Sequence, residues 1–371
     1  MEGCRGSGLG NKTELYECHE SAGARFVDFG GWDMPLHYGS QIDEHHAVRN
    51  GAGVFDVSHM AVVDVGGTGS CDWLAVLLAN NIDRLKTPGR GLYSCMLNDS
   101  GGVIDDLIVY RTGPQDYRLV VNASRRAADL DWMRASAGDF AVEIRERNDL
   151  AMLAVQGPEA IQRAKSLLPA DIQHTATELS TFNATCAGDV FVARTGYTGE
   201  DGWEIILPPE QAVSLWQAML DAGIQPCGLG SRDTLRLEAG LNLYGQDMTE
   251  SISPLECGLA WTVSWKPASR QFTGRKVLEQ QRSDGVDSRF VGLLLEQRGI
   301  MRHGQRVVTS GGDGEITSGG FSPTLARSIA LARIPAGDDL DCEVEIRSKL
   351  ISACVTKPSF VRQGKNLIEE K

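Results

Sequence analysis

The chain has 371 residues, of which 42% are hydrophobic and 23% are charged, and its formal net charge is −13. A chain of this length is expected to form two or three domains, and no apolar run approaches the roughly 20 residues that a membrane span requires. The negative charge would repel a nucleic-acid backbone, so no nucleic-acid partner is expected, and an anionic ligand must be met by specific Arg or Lys side chains.

The ends and the cysteines of the chain indicate its compartment. Met1–Gly10 has neither the apolar core of a secretory signal nor the Arg-rich character of a transit peptide. Nine cysteines are scattered without a Cys-x-x-Cys pair, which is unlike a disulfide framework or a zinc site. Reduced thiols and a cytoplasmic location are therefore expected.

The first predicted elements alternate short strands with helices. Helical patterns cover residues 42–50 and 125–137, and a further apolar helix face repeats between residues 73 and 78. Three strands of one antiparallel sheet are predicted, with helices on one face, and they lie at residues 91–98, around 107–109 and at 117–122. A further strand is expected at residues 140–144.

Residues 98–110 read NDSGGVIDDLIVY and place a glycine pair and two carboxylates at the start of an apolar strand. Glycines at such a point allow positive φ angles or a close backbone approach. Neighbours on a strand face opposite ways, so one of Asp105 and Asp106 can face a cavity while the other faces solvent. A hydrophilic turn ahead of a core strand is the alternative.

The second half begins with a strand at residues 151–155, a strand at 189–193 and a glycine-rich loop after residue 194. Helices follow at 210–222 and from 228 onward, and the polar residues 280–288 are interpreted as a linker. Six short strands separated by turns then predict an antiparallel barrel or sandwich. They lie at residues 289–295, 306–309, 315–318, 328–334, 343–347 and 351–355.

Two histidine-containing segments resemble fragments of catalytic sites. Glu44, His45 and His46 lie on a predicted helix where neighbours diverge, and no third ligand is spaced to complete a zinc site. Ser58 and His59 lack the nucleophile elbow of a hydrolase. Neither a metal site nor a Ser/His/Asp hydrolase is expected.

Ten stretches between about residues 13 and 362 occur in the order typical of one family. They are FGGWDMP at 29–35, FDVSHM at 55–60, YS at 93–94, GGVIDD at 101–106, VQGP at 155–158, RTGYTGE at 194–200, GLGSRDTLRLE at 228–238, YGQD at 244–247, TSG at 317–319 and FSPT at 321–324. Together they resemble the glycine cleavage T proteins, which are tetrahydrofolate-dependent aminomethyltransferases.

The resemblance implies an α+β fold with two intertwined α+β folate-binding lobes and a small C-terminal antiparallel β-barrel, in a three-lobed arrangement around a central channel. The folate-binding region is expected at residues 1–280, with sub-lobes of about 1–58 with 145–245 and of 59–144. The barrel is expected at residues 281–371.

The resemblance also implies a reaction. Tetrahydrofolate attacks an aminomethyl group carried on the lipoyl arm of the H protein, and the products are 5,10-methylenetetrahydrofolate, ammonia and the dihydrolipoyl partner. No metal or redox cofactor is required for this chemistry, and His59 is expected near the channel.

The resemblance assigns Asp106 as the essential acidic residue and gives Asp105 no such role. The folate-binding positions that it implies are Met60, Tyr93, Asn122, Tyr197, Glu204, Arg232 and Arg362. Among these, Glu204 would accept hydrogen bonds from the pterin, and Arg232 would orient the pterin or its carboxylate partner. Four of these positions have a structural alternative. Glu204 could be an exposed strand carboxylate and Arg232 a surface side chain, while Met60 could simply pack in the core and Arg362 could be a solvated terminal side chain.

Two other groups of proteins remain as competitors. A demethylase or a sarcosine or dimethylglycine dehydrogenase domain would share the fold, but the chain has no Gly-x-Gly-x-x-Gly fingerprint for a flavin domain. The non-catalytic folate-binding relatives associated with iron–sulfur assembly carry Lys-Gly-Cys-Tyr-x-Gly-Gln. Residues 241–246 here read LNLYGQ and lack that Cys.

Overall fold

The computed structural model describes residues 10–368 of the chain. The first nine residues, from which the absence of a leader was predicted, lie outside the described residues. Within the described range, no helix combines the length and the apolar character needed to cross a membrane.

The described residues form helices that pack on mainly antiparallel sheets, in which only β13 and β3 pair in parallel. The helices are α1 Tyr16–Ser21, α2 Gln41–Asn50, α3 Ser70–Leu77, α4 Arg126–Ala137, α5 Ala160–Ala164, α6 Gln173–Thr177, α7 Pro209–Asp221, α8 Leu229–Ala239 and α9 Arg275–Asp284. The strands are β1 Arg25–Phe29, β2 Trp32–His37, β3 Gly53–Asp56, β4 Ala61–Gly66, β5 Gly91–Leu97, β6 Val103–Arg111, β7 Tyr117–Val121, β8 Glu143–Glu146, β9 Ala151–Gln156, β10 Ala184–Ala187, β11 Val190–Ala193, β12 Gly202–Leu207, β13 Gln225–Pro226, β14 Ser288–Leu295, β15 Arg306–Thr309, β16 Gly312–Ser322, β17 Arg327–Pro335, β18 Asp341–Ile346, β19 Lys349–Thr356, β20 Val361–Arg362 and β21 Lys365–Asn366.

The first sheet has the strand order β10-β11-β12-β9-β3-β13 and is covered on both faces. Its central strands β9 and β12 are mostly apolar because alternate residues serve two different cores. Leu153 and Val155 of β9 pack with Trp216 of α7 on one face, while Met152 and Ala154 face the opposite way. Every residue of β9 and β12 is buried as a result.

The second sheet has the order β5-β6-β7-β4-β8, which confirms the predicted antiparallel arrangement of its first three strands. Helices α3 and α4 pack on one face through Trp73, Leu77 and Met133. The other face sends Val62 and Val120 into the same core as the first sheet. The two sheets are therefore packed face to face, and a residue between them lies deep in the molecule.

The C-terminal strands close into a six-stranded antiparallel barrel of order β14-β17-β16-β15-β18-β19. Inward-facing residues alternate along each strand and fill the interior, as Val291, Leu293 and Ile316 do. The closed barrel and the mixed α+β architecture confirm the predicted fold.

Two local predictions were wrong. The polar residues 280–288 are not a plain linker, because α9 continues to Asp284 and buries Leu278 beneath its polar face. Strand β8 lies at Glu143–Glu146 instead of 140–144, since it pairs with Val63–Gly66 of β4. The predicted division at residue 280 stays a prediction, and α9 spans that point.

Helix α8 joins the barrel to the first sheet through one fully buried carboxylate, Glu238. Arg49 of α2 donates to Glu238 at 2.9 Å, and His45 of the same helix lies 3.3 Å away. From the barrel side, Ser322 donates at 2.5 Å and Thr324 at 2.8 Å. Although burial opposes ionisation, the hydrogen bond and charge of His45, with Ser322 and Arg49, lower the pKa of Glu238 to about 2.

We expect Glu238→Gln to lower the free energy of unfolding by about 3 kcal/mol, because Arg49 then loses one of its buried counter-charges. The folded pKa of Glu238 lies below its ordinary value of 4.5. The stabilisation is therefore complete above that value and disappears as the pH falls toward 2. Urea denaturation of both proteins at several pH values measures the difference, which should shrink on the acid side.

Asp233→Asn is the matched control on the same helix. Asp233 also pairs with an Arg, but its side chain is 58% exposed. We expect it to cost less than about 1 kcal/mol. Equal losses in the two variants would contradict the role given to Glu238.

Candidate active site

A cavity of about 780 Å³ lies where the two sheets, helix α8 and the barrel meet. It is lined by residues from elements far apart in the chain, including Leu107 of β6, Leu241 after α8 and Phe290 of β14. All eight residues singled out from the sequence line it: Met60, Tyr93, Asp106, Asn122, Tyr197, Glu204, Arg232 and Arg362. The fold thus brings together side chains that are spread over three hundred positions.

The glycine pair before β6 is required by the backbone. Gly101 has φ +80°, and a Cβ at Gly102 would lie 1.8 Å from the carbonyl oxygen of Glu250. Only glycine allows this approach, which seats the start of β6 against the loop after α8. The motif is therefore a tight turn that also sets the register of the strand carrying Asp106.

Asp106 presents its carboxylate to the cavity. Tyr93 on β5 donates its hydroxyl to Asp106 Oδ2 at 2.7 Å, and Asn122, directly after β7, donates Nδ2–H to Oδ1 at 2.9 Å. Burial, followed by the negative charge of Asp105, raises the pKa of Asp106 to about 7. A carboxyl group in this state can take up and release a proton near neutral pH.

Asp105 points to the opposite face of the sheet, as strand alternation predicted. The expectation that this second carboxylate faces solvent was wrong, because Asp105 has no exposed surface. The backbone N–H of Asn122 donates to it at 3.0 Å, and the Asn122 side chain donates at 2.8 Å. The Asn122 amide therefore bridges the two neighbouring acids.

Glu204 lies on the side of the cavity that is formed by the first sheet. The neighbouring β12 residues Trp203 and Ile205 enter the core on the far side, so alternation turns Glu204 toward the second sheet. Thr195 donates to its Oε2 at 2.5 Å and is itself bonded to Tyr110 at 2.9 Å. Burial raises the pKa of Glu204. Glu204 is only 8% exposed, so the alternative of an exposed strand carboxylate does not hold.

Arg232 lies near Glu204 on the first turns of α8. Its guanidinium carbon stands 4.3 Å from the centroid of the Tyr197 ring. No hydrogen bond or ion pair joins this guanidinium to another residue between positions 10 and 368. Its N–H groups are therefore available to a ligand, beside an aromatic face and a carboxylate acceptor.

Met60 and Arg362 occupy different parts of the cavity lining. Met60 is half-buried and packs against the core between the sheets, so it serves both as core and as cavity wall. Arg362 on β20 is exposed, and its Nη2 lies 3.5 Å from the carbonyl oxygen of Ala239. It stands at the rim, where it is both solvated and able to meet a ligand.

Sequence reasoning missed one prominent lining residue, Trp261. Its ring stacks on Tyr93 with centroids 5.5 Å apart, yet 64% of the residue is exposed. Nothing in the local pattern separates such a tryptophan from a core residue. His59 lines the cavity as expected, and burial, followed by the charge of Arg232, lowers its pKa to about 4.

His45 and its neighbour Glu44 have structural partners. His45 bonds Thr234 and Thr324, and Glu44 accepts from the backbone of Tyr38 and Gly228. Over residues 10–368, no three His, Cys, Asp or Glu side chains are grouped so as to hold a metal ion.

Known proteins are similar to this chain in sequence and in fold. Two family models match the chain, the GCVT N-terminal domain over residues 15–267 and the glycine cleavage T-protein C-terminal barrel domain over residues 289–362. The chain is 55% identical to an aminomethyltransferase from Nitrosococcus oceani, with 96% of each chain covered. It is 54% identical to one from Pseudomonas syringae pv. tomato, over 97% of this chain and 100% of that one. The solved structure of the glycine cleavage system aminomethyltransferase T from Bartonella henselae superposes with a TM-score of 0.88 at 35% identity, covering 95% of this chain and 98% of that chain.

We expect Asp106 to make the stability of the fold depend on pH. Its folded pKa is raised from 3.8 to about 7, so the folded state favours protonated Asp106. The contribution of protonated Asp106 to the free energy of unfolding is present at low pH and is lost as the pH rises through 7. Asp106→Asn removes the dependence and should therefore gain stability relative to the unmodified protein as the pH rises from about 5 to about 8.

Urea denaturation at the two pH values measures this difference, with Asp99→Asn as the control. Asp99 is exposed in the turn before β6. A pH-independent difference for Asp106→Asn would refute the raised pKa.

Proposed function

This chain belongs to the glycine cleavage T-protein family, and we propose on that basis that it is the tetrahydrofolate-dependent aminomethyltransferase of the glycine cleavage system. The observation that carries the proposal is the geometry of Asp106, whose carboxyl group lines the cavity and accepts hydrogen bonds from Tyr93 at 2.7 Å and Asn122 at 2.9 Å. Tetrahydrofolate is the co-substrate of this reaction.

The proposed partner is the lipoylated H protein, whose arm carries the aminomethyl group on sulfur. Bound folate supplies the nitrogens that receive the carbon, so the products are 5,10-methylenetetrahydrofolate, ammonia and the dihydrolipoyl arm. We place the reaction in the cytoplasm. The buried cysteines Cys95, Cys227 and Cys257 are free thiols, which suits a reducing compartment.

The cavity suits a large flat heterocycle with polar edges. Its volume of about 780 Å³ lies within the usual range for small-molecule sites. Met60 and Tyr197 supply apolar walls, while Glu204 offers a carboxylate to the ring N–H and amino donors of a pterin. Arg232 has free donors beside Glu204 and would orient the pterin together with it.

Asp106 would act at the reacting end of the folate. Its carboxyl group hydrogen-bonds the folate near the 10-nitrogen and positions the 5-nitrogen for attack. Because its pKa is about 7, it can also accept and return a proton during ring closure. Tyr93 and Asn122 fix the orientation of that carboxyl group, and Arg362 at the rim would pair with the glutamate tail.

We expect Asp106→Asn to lower kcat by at least about 100-fold, because the amide keeps the shape of the side chain but cannot exchange the proton. The KM for tetrahydrofolate should change little. The measurement is formation of ammonia and 5,10-methylenetetrahydrofolate from the aminomethylated lipoyl partner.

The exposed neighbour Asp99→Asn serves as the control and should retain full activity. Transfer at a normal rate by Asp106→Asn would remove Asp106 from the chemistry. Folate binding by the unmodified protein without any turnover would instead favour the non-catalytic relatives.

Glu204→Gln tests the pterin end separately. We expect the Kd for tetrahydrofolate to rise about 10- to 100-fold, because a charge-assisted hydrogen bond is replaced by a neutral one. Turnover at saturating folate should fall only a few-fold. Calorimetric titration of the variant, beside Glu210→Gln on the exposed start of α7, measures the effect. Unchanged affinity would place the pterin elsewhere.

A further inference from the structure

A third carboxyl group, Asp129 of helix α4, lies behind the sheet that carries Asp106. Asp129 has no exposed surface. Both of its side-chain oxygens are buried, and neither receives a hydrogen bond from any residue between positions 10 and 368. The carboxyl group of Asp105 lies close enough to Asp129 to form a hydrogen bond with it if one of the two is protonated. The cavity reaction as described above does not use Asp129.

A path of hydrogen bonds leads from Asp105, the neighbour of this buried group, to the cavity. Asp105, the partner of Asp129, accepts from the backbone and side-chain N–H groups of Asn122 at 3.0 and 2.8 Å. The same Asn122 amide donates to Asp106 at 2.9 Å, and Tyr93 donates to the other oxygen of Asp106 at 2.7 Å. The path begins in the hydrophobic layer beneath α4 and ends at the acid that faces the ligand.

The donors along this path decide where the charge lies. Two adjacent carboxyl groups that are both fully buried are strongly disfavoured from being ionised together. Asp105 receives two N–H donors and Asp129 receives none, so the anion belongs on Asp105 and the proton on Asp129. In agreement, burial, followed by the charge of Asp105, raises the pKa of Asp129 to about 10.

We propose that Asp129 is a positioning residue of the active site: its carboxyl O–H donates to Asp105 and so holds Asp105 as the anionic acceptor that orients Asn122 toward Asp106. The inference rests on the proposed function for its effect on turnover. Its electrostatic part does not, because the anion on Asp105 influences the protonation of Asp106 whether or not the aminomethyl reaction occurs.

The other charged and titratable groups near this path have partners of their own. Arg125 donates Nε–H to the carbonyl oxygen of Ile104 and Nη2–H to Glu250, and its guanidinium lies over the Tyr244 ring at 5.0 Å. The hydroxyl of Tyr244 bonds the carbonyl oxygen of Val103.

On the cavity side, the remaining titratable groups near Asp106 are Cys95, Tyr197 and Cys257. Burial raises the pKa of each one, so all three are neutral near pH 7. Asp105 therefore remains the nearest negative charge to Asp106.

The test compares Asp129→Asn, Asp129→Leu and Asp105→Asn with the unmodified full-length protein. In a sample labelled with 13C at the aspartate carboxyl groups, the resonance missing from Asp106→Asn identifies Asp106, and its titration midpoint is followed by NMR. The pH dependence of kcat is recorded in parallel. Asp131→Asn is the control, since Asp131 lies on the same helix with its side chain 83% exposed.

Asp129→Asn keeps a neutral donor to Asp105, so the midpoint of Asp106 should stay within a few tenths of a pH unit. Asp129→Leu removes the donor and moves the proton to Asp105, and Asp105→Asn removes the anion directly. In both, the midpoint of Asp106 should fall by about one unit or more. The fall in kcat at acid pH should shift to lower pH together with the midpoint of Asp106. In Asp129→Leu, kcat should also fall about tenfold, because Asn122 is no longer held in its orientation.

Equal midpoints in Asp129→Leu and Asp129→Asn would overturn the proposal. A downward shift in Asp129→Asn as large as that in Asp105→Asn would also overturn it, since the charge would then lie on Asp129. If Asp129→Leu does not fold, the proposal is still tested by comparing the titration midpoints of Asp106 in Asp129→Asn and in Asp105→Asn. The NMR midpoints stand even if no aminomethyl transfer is found, so failure of the proposed function is distinguishable from failure of this inference.

Discussion

The buried charge of Glu238 is the constraint on which the relation between the barrel and the first sheet depends. One carboxylate accepts from α2, from the end of β16 and from the turn after it, and α2 and β16 are separated by more than 250 positions in the chain. A buried carboxylate without these donors would be very costly, so the parts must meet in one arrangement. Helix α8 is fixed at its C-terminal end by this contact, and its N-terminal turns carry Arg232 into the cavity.

Strand alternation is the second constraint, and it makes the site asymmetric. Asp105 and Asp106 are neighbours in sequence but face a packed helical layer and a cavity, respectively. Asn122 bonds both acids at once, so the geometry on one face of the sheet is linked to that on the other. Packing beneath α4 can therefore influence the carboxyl group that faces the ligand.

Most helices and strands were predictable because their signals are local and repeated, whereas the arrangement in lobes was predicted from the family resemblance. Alternation and turn residues located the barrel strands, and apolar spacing located α3 and α4. The error at residues 280–288 arose because α9 buries only a narrow stripe, which a polar composition conceals. The residues around the cavity were identified through the family resemblance. The burial of Asp105 was not predictable, because it depends on a helix whose contact with β6 is a tertiary fact. The exposure of Trp261 likewise depends on the position of a loop, which sequence periodicity does not predict.

The same distinction between local and overall properties applies to charge. The chain carries a net charge of −13, yet the charge that lines the cavity differs from this net charge. Arg194 pairs with Asp201 at 2.5 Å, and Glu200 with Arg49 at 2.6 Å, so these charges on the lining largely cancel. The remaining charged side chains on the described lining are Asp106, Glu204, Arg232 and Arg362. Two acids and two guanidinium groups leave a cavity that is close to neutral but strongly polarised, with carboxylates on its walls and a cation at its rim. An acidic protein can thereby accept an anionic co-substrate, because fields at contact distance exceed the screened field of the distant surface.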